Sequence, residues 1–238
     1  MKKEIMFAAY NDKKEIVDIK SVPNGVACNC TCIACGQPLN ARNEGKHNIP
    51  HFAHVSGFDN PACSETAKHA MAKQIIKEKG WFPFGYRAYK ADSIELEKTI
   101  GDIRPDVLAV YKGIPVAIEI FVNHAVDDEK LKKVKSYNLT MVEINLSKTL
   151  VTSKEDLLRE VFNPDNWNLL NIYNRPTPRQ IVVSPLLFIP SKRTVIPNKS
   201  YILDAVDRRE ERSYSYRYRK SRFSNRNNTY RYRSYRSR

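Results

Sequence analysis

The sequence predicts a fold of the α/β or α+β class, in which a mixed β-sheet is combined with helices. Apolar runs of strand length recur between residues 84 and 146, and helix-like segments precede, separate and follow them. Cysteine and histidine residues crowd the first 63 residues, whereas the last part of the chain has almost no aliphatic residues. These shifts in composition predict four regions: a hairpin and zinc-binding module at 1–63, a core at 64–165, a C-terminal extension at 166–207 and a disordered basic tail at 208–238.

The charge of the chain is concentrated near its C-terminal end. The formal net charge is +14, and residues 212–238 supply ten Lys or Arg with no Asp or Glu, so the first 211 residues carry only +4. A local excess of this kind favours a polyanionic partner, with a nucleic-acid backbone ahead of a membrane surface. The sequence contains no apolar run of membrane-spanning length and no apolar leader, so we expect a cytoplasmic location.

The first half of the chain predicts a hairpin and a long helix. Residues 4–9 and 14–19 are short apolar runs on either side of Asn11-Asp12-Lys13, which is typical of a β-hairpin. Ser64 is predicted to cap a helix that runs to Lys79 and ends at Gly80.

The second half predicts strands alternating with helices. Strands are expected at 84–89, at 104–111 and 115–122 around Lys112-Gly113-Ile114, and at 140–146. Helices are expected at 127–137 and at 153–162, the latter capped by Ser153. Residues 163–211 contain several prolines and one apolar run and predict no definite element.

The cysteine-rich region predicts a structural zinc site. Cys32 and Cys35 form a CxxCG turn, whose two thiolates can share one tetrahedral metal ion. His54 and Cys63 complete the favoured ligand set, and His51 competes for the histidine position. The functions of Cys28 and Cys30 stay open between an alternative ligand pair and the lining of a turn. Four protein ligands leave no open position for a substrate, so the expected zinc is structural.

Two acids on neighbouring predicted strands form a candidate catalytic pair. If the turn between the strands is centred between Lys112 and Gly113, Asp106 faces Glu119 with Cβ atoms ~5 Å apart. Carboxylates placed together among apolar residues repel each other and lose hydration, and Mg²⁺ or Mn²⁺ would relieve both costs. The alternative is that one acid lies in solvent or pairs with Arg104.

The preceding helix carries Glu65, His69 and Lys73 at intervals of four residues, and hence on one face. A polar stripe of this kind is usually the solvated side of a helix, and the residues alone favour that interpretation.

The order of five short motifs resembles the CoiA-like competence proteins. The chain has CxxCG from Cys32, His51-Phe52-Ala53-His54, Cys63-Ser64-Glu65 with His69 and Lys73, then Arg104-Pro105-Asp106 and Ala117-Ile118-Glu119-Ile120. The resemblance covers about residues 5–150. It implies a restriction-endonuclease-like core of the PD-(D/E)xK type behind a zinc-finger-like segment. It also implies that Asp106 and Glu119 bind the catalytic metal and that Glu65 belongs to the site.

One position departs from that pattern. The family motif has Lys or Gln two residues after the second acid, and this chain has Phe121. Lys130 or Lys73 can replace the missing group, or catalysis is lost and only binding remains; the resemblance favours a migrated lysine. His124 either approaches the phosphate or caps the following helix.

The tail interleaves Tyr with Arg, as at Arg217, Arg219, Arg231 and Arg233. Arg contacts phosphates and Tyr offers a stacking surface, so the tail is expected to bind nucleic acid without strong sequence preference. A solubilising tail or a membrane-surface contact are the alternatives.

Together these features predict a nuclease that requires Mg²⁺ or Mn²⁺ and acts on DNA more than on RNA, in DNA uptake, recombination or defence. The rival hypotheses are a catalytically inactive nucleic-acid-binding protein on the same fold, and a scaffold whose tail recruits RNA or another partner.

Overall fold

A computed structural model describes residues 4–45, 47–57 and 60–173 of the protein. Within these ranges the N-terminal half forms six short strands: β1 (Ala8–Tyr10), β2 (Ile16–Asp18), β3 (Leu39–Arg42), β4 (His51–His54), β5 (Trp81–Phe84) and β6 (Arg87–Lys90). Five further strands follow: β7 (Ser93–Leu96), β8 (Val107–Tyr111), β9 (Ile114–Phe121), β10 (Thr140–Asn145) and β11 (Trp167–Asn171). The α-helices are α1 (Pro61–Lys79), α2 (Asp128–Ser136) and α3 (Lys154–Val161).

The central element is a five-stranded mixed sheet in the order β11-β10-β9-β8-β7. β9 and β10 are parallel and are joined through α2, whereas the other neighbouring pairs are antiparallel. The remaining strands form the two-stranded pairs β1-β2, β3-β4 and β5-β6. The predicted mixed α/β class is therefore confirmed.

The β8-β9 hairpin has the register that the sequence predicts. Lys112 and Gly113 both have positive φ, at 52° and 77°, which is the backbone of a tight two-residue hairpin turn. Val107 pairs with Ile118 and Tyr111 with Ile114, so the turn is centred between residues 112 and 113. This register brings Asp106, the residue before β8, beside Glu119 on β9.

Helices cover the two faces of the sheet. Ile118, Ile120 and Val142 belong to the large core cluster, which also contains apolar residues of α1 and α3. Ala117 and Met141 project from the other face and pack with Val134 of α2. Because side chains alternate along a strand, consecutive residues of β9 reach these two separate layers.

α1 begins four residues earlier than predicted. Asn60 is its N-cap and accepts a hydrogen bond from the Ala62 N–H, and Pro61 occupies the first helical position. The prediction that Ser64 caps the helix is wrong, because Ser64 lies inside the first turns and is buried. The predicted end at Gly80 is confirmed. Cys63 therefore lies on the helix instead of before it.

Most of the other predicted elements are confirmed, and one predicted strand is wrong. The helices at 127–137 and 153–162 are confirmed with slightly shorter bounds. The first hairpin is also confirmed, but its strands have three residues each instead of six, and the first of them lies at 8–10 instead of 4–9. Residues 84–89 do not form one strand, because the chain turns at Gly85 between β5 and β6.

The sheet also extends beyond the predicted core. β7 was not predicted, and β11 lies after residue 165, where we placed the core boundary. The cysteine-rich region shares its hydrophobic core with the sheet, since Phe7 and Phe52 belong to the same cluster as Ile118. Residues 174–238, including the predicted tail, lie outside the described residues.

Candidate active site and candidate metal centre

Four side chains from three segments form a candidate metal centre. The donor atoms of Cys32, Cys35, His54 and Cys63 all lie within 4.8 Å of one another. Cys35 Sγ lies 3.3 Å from His54 Nε2. This is the favoured ligand set from the sequence. Three thiols and one imidazole at this spacing are a donor set that could hold a metal ion such as zinc.

Local backbone structure brings these four donors together. In the CxxCG turn the Gly36 N–H donates to the Cys32 carbonyl, and Gly36 has a φ of +72°, which favours glycine. His54 lies at the end of β4, on the same side of the strand as buried Phe52. Cys63 reaches the cluster from the first turn of α1.

The thiols of the cluster differ in acidity. The Gln37 backbone N–H, helped by hydrogen bonds with Cys32 and His54, lowers the pKa of Cys35 to about 7 against a smaller desolvation cost. Burial, reinforced by the neighbouring thiols Cys32 and Cys35, raises the pKa of Cys63 to about 12. The cluster therefore holds one readily ionised thiol beside one that resists ionisation, and a bound cation would favour the thiolate of both.

The competing residues lie outside the cluster. His51, which competed for the histidine position, has its Nδ1 2.8 Å from the Ile49 carbonyl oxygen and projects from the other side of β4. Cys28 and Cys30 are buried, and their sulfurs contact the carbonyl oxygens of Leu39 and Cys28. Of the two interpretations of Cys28 and Cys30, the lining of a turn is the one that fits.

A second polar cluster surrounds Glu119 at the end of the sheet. Glu119 is only 9% exposed, and Lys130 Nζ of α2 lies 2.7 Å from its Oε2. Its Oε1 is buried and has no hydrogen-bond partner among the described residues. Burial and the nearby Asp106 charge raise the pKa of Glu119 against the opposing effect of Lys130. An unpartnered buried carboxylate oxygen is costly unless a positive group balances it.

Asp106 is held from three directions. Its Oδ2 accepts hydrogen bonds from the His69 imidazole and from the Ile120 N–H, each at 2.9 Å. Lys73 Nζ lies 3.9 Å from its Oδ1. Burial alone would raise the pKa of Asp106, but His69, the Ile120 N–H and Lys73 outweigh it and lower that pKa. Asp106 is therefore kept as a carboxylate beside Glu119.

The polar stripe of α1 faces these acids. His69 and Lys73 contact Asp106, and the Glu65 carboxylate accepts a hydrogen bond from the Asn123 amide in the loop after β9. The interpretation of the stripe as the solvated side of the helix is therefore wrong. The apolar face of α1 packs against the face of the sheet that carries Ile118 and Ile120, and the polar stripe of the helix contacts Asp106, which precedes β8.

Lys130, and not the residue at motif position 121, is the cation beside Glu119. Phe121 follows Glu119 on β9 at that motif position, whereas Lys130 reaches the acid from the first turn of α2. Asp127 caps α2 by accepting from the Lys130 N–H, so the capping role considered for His124 is filled by another residue.

Two acids near the cluster were not predicted. Glu97 lies 2.5 Å from Lys73 Nζ. It also pairs with Arg104, the alternative partner expected for one acid of the Asp106–Glu119 pair. Glu143 pairs in register with Glu119, and its two oxygens accept from the Val126 N–H and the Asn168 amide. The sequence signal for Glu143 is an acid flanked by apolar residues inside a strand that is buried on both faces.

The remaining predicted site residues lie in the C-terminal tail. Arg217, Arg219, Arg231 and Arg233, proposed to bind nucleic acid, lie outside the described residues. Among the residues that are described, no helix combines the length and apolar character needed to cross a membrane. No protein-family model, curated protein or solved structure matches this chain.

Proposed function

We propose that this protein is a metal-dependent nuclease that cleaves phosphodiester bonds in nucleic acid, with DNA as the favoured substrate. The observation that carries the proposal is the acid pair at the end of the sheet. Glu119 is buried, Asp106 lies partly buried beside it, and Glu119 Oε1 has no partner within the described structure. A divalent cation with oxygen ligands would satisfy that atom and offset the repulsion between the acids.

The residues of the site fit Mg²⁺ or Mn²⁺. Asp106 and Glu119 would hold the ion, and Glu65 on the polar stripe of α1 would be a third acid of the site. When bound, such an ion activates water and stabilises the negative charge of a reacting phosphate.

Other side chains orient these groups and bring positive charge to the site. Lys130 lies against Glu119, so its ammonium would be close to a phosphate oxygen bound beside this acid. His69 and the Ile120 N–H fix the orientation of the Asp106 carboxylate. Lys73 is a second cation within reach of Asp106.

The Cys32-Cys35-His54-Cys63 cluster would hold a structural Zn²⁺ ion. Its four donors leave no open position for a substrate. Because Cys63 lies two residues before Glu65 on the same helix, the ion would anchor the end of α1 that carries the active-site stripe.

A second candidate is a binding protein that has lost catalysis. Phe121 occupies the motif position where the resembling family has Lys or Gln, and this observation favours it. The ion pair between Lys130 and Glu119 weighs against it, since a cation is present at the site from another element.

A cleavage assay separates the two candidates. Zinc-replete protein is incubated with labelled single- and double-stranded DNA and RNA, in Mg²⁺, in Mn²⁺ or without either ion. We expect cleavage that requires the added metal and falls about a hundredfold or more in Asp106→Asn and in Glu119→Gln.

The matched control is Glu143→Gln. Glu143 is 5% exposed, pairs in register with Glu119 and already has hydrogen-bond donors on both oxygens, so its substitution should retain activity. Binding without any metal-dependent cleavage would refute the nuclease and favour the binding protein. Equal loss in Glu143→Gln would show that the effect is structural.

A further inference from the structure

A cleft lies beside the acid pair, between one face of α1 and the end of β9. Its volume is about 360 Å³. Ala62, Thr66 and His69 line it from the helix, Ile120 lines it from β9, and Val122 lines it from just beyond the end of that strand. Glu65, Asn123 and His124 complete the wall. His69 and the Ile120 N–H both donate to Asp106, so two residues of the cleft wall adjoin this acid.

The residues at the base of the cleft are apolar, and those at its edge are polar. Ile120 and Val122 are buried aliphatic residues, and their side chains present an apolar surface to the cleft. Thr66 and His124 are exposed and carry polar atoms. An apolar floor with a few polar groups at its rim is the usual composition of a site for a planar organic group.

The lining of the cleft is poorly suited to a phosphate. Among the described residues it contains the acid Glu65 and no Lys or Arg, and the imidazole of His69 is engaged by Asp106. A neutral group is therefore preferred inside the cleft, while the anionic backbone stays over the site where the cation would bind.

We propose that this cleft holds the base of one unpaired nucleotide next to the scissile phosphate. The inference rests on the proposed nuclease function and names its substrate class as single-stranded nucleic acid or a single-stranded end. A base within a duplex must be unpaired and unstacked before it can leave the helix, and this costs free energy that an unpaired base does not pay. The cleft therefore makes the enzyme selective for unpaired strands.

The test compares one oligonucleotide as a single strand and in a blunt duplex. We expect the wild-type protein to cut the single strand at least about tenfold faster. Thr66→Trp, which fills the cleft from an exposed position, should lower the single-strand rate about tenfold and remove the preference. Lys77→Trp adds the same side chain to an exposed position of α1 outside the cleft and should retain the ratio of the two rates.

His124→Ala is a second variant, in an exposed loop position, that checks the result if Thr66→Trp disturbs α1. It should reduce the preference without a change in thermal stability. Equal cleavage of both substrates by the wild type, or an unchanged preference in both cleft variants, would overturn the inference while the nuclease function stands.

If the wild type cuts neither substrate, the nuclease function fails and the cleft is judged by binding. Fluorescence anisotropy with the same oligonucleotides in Ca²⁺ then measures affinity. A tenfold preference for the single strand that is lost in Thr66→Trp supports a site for an unpaired base. Equal affinities for both forms, or no effect of Thr66→Trp, overturn it.

Discussion

Glu119 shows how the proposed metal site and a stable fold would make opposite demands on one residue. The carboxylate is buried in a strand whose neighbours Ile118 and Ile120 are apolar, and one of its oxygens has no partner within the described residues. Lys130 balances part of the charge, yet the net effect on its pKa is upward. A folded protein without the metal therefore holds a carboxylate in a place that disfavours its charged form.

This cost predicts a pH-dependent gain of stability in Glu119→Gln. Because folding raises the pKa of Glu119, the ionised acid destabilises the fold at neutral pH. Below its ordinary value of 4.5 the acid is protonated in both the folded and the unfolded chain, and the cost disappears. In buffer without Mg²⁺ or Mn²⁺, the variant should melt at a higher temperature than wild type at pH 7. The difference should shrink as the pH falls towards 4.5 and should be lost below it.

Glu143→Gln is the control for this effect. Its carboxylate accepts two hydrogen bonds, one of which holds the loop that leads into α2. Its substitution should lower the melting temperature at pH 7. A loss of stability in both variants would contradict the interpretation that Glu119 is held at a cost.

At the scale of elements, α1 is tied to the rest of the core by one buried lysine. Lys68 is 1% exposed, and its Nζ donates to the carbonyl oxygens of Leu146 and Thr149, at 2.8 Å each. It also lies 3.0 Å from Glu4 Oε1. These contacts join the helix that carries Glu65, His69 and Lys73 to the segment after β10 and to the N-terminal segment.

Loss of this tie should destabilise the protein strongly. Lys68→Met leaves two carbonyl oxygens and a partly buried carboxylate without their donor, which we expect to cost about 3 kcal/mol. Lys77→Met, at an exposed position of the same helix, should change stability by less than about 0.5 kcal/mol. Urea unfolding of both variants measures the difference, and equal midpoints would contradict the role of Lys68.

Elements with local signals were the ones that the sequence could predict. The Lys112-Gly113 turn sets the register of β8 and β9 because both residues adopt positive φ, so the pairing of Asp106 with Glu119 was accessible from the sequence. The start of α1 was missed because Ser64 offered a good cap, while the Asn60-Pro61 pair provides the actual one. Gly85, inside a presumed strand, was the signal for a hairpin turn.

Features that depend on tertiary contacts could not be predicted in the same way. The sequence left Lys130 and Lys73 as equal candidates, and the packing of α2 against the sheet is what brings Lys130 to Glu119. Glu97 directly follows β7, a strand of four residues whose polar-apolar alternation is too short to be distinctive, and it joins the polar cluster through Lys73. The choice of His54 over His51 follows from the pairing of β4, which directs the two side chains to opposite sides.

At the scale of the whole molecule, the candidate zinc centre connects the cysteine-rich region to α1. We expect purified protein to contain one zinc ion per chain. Cys35→Ser should lose that ion and destabilise the fold by several kcal/mol, or roughly 10 °C in melting temperature. Elemental analysis and thermal unfolding measure the two effects.

Cys28→Ser is the control for the zinc centre. Cys28 is buried but lies outside the four-donor cluster, so its substitution should retain the zinc. Zinc loss in Cys28→Ser, or full zinc content in Cys35→Ser, would contradict the assigned ligands.

Titration of the zinc-replete protein with Mn²⁺, followed by calorimetry, tests most directly whether the acid pair is a cation site. We predict one Mn²⁺ site in the wild type and in Glu143→Gln, and its loss in Asp106→Asn and Glu119→Gln. Absence of Mn²⁺ binding in the wild type, or equal binding in all four proteins, would contradict the assignment of Asp106 and Glu119 as the metal ligands of a nuclease.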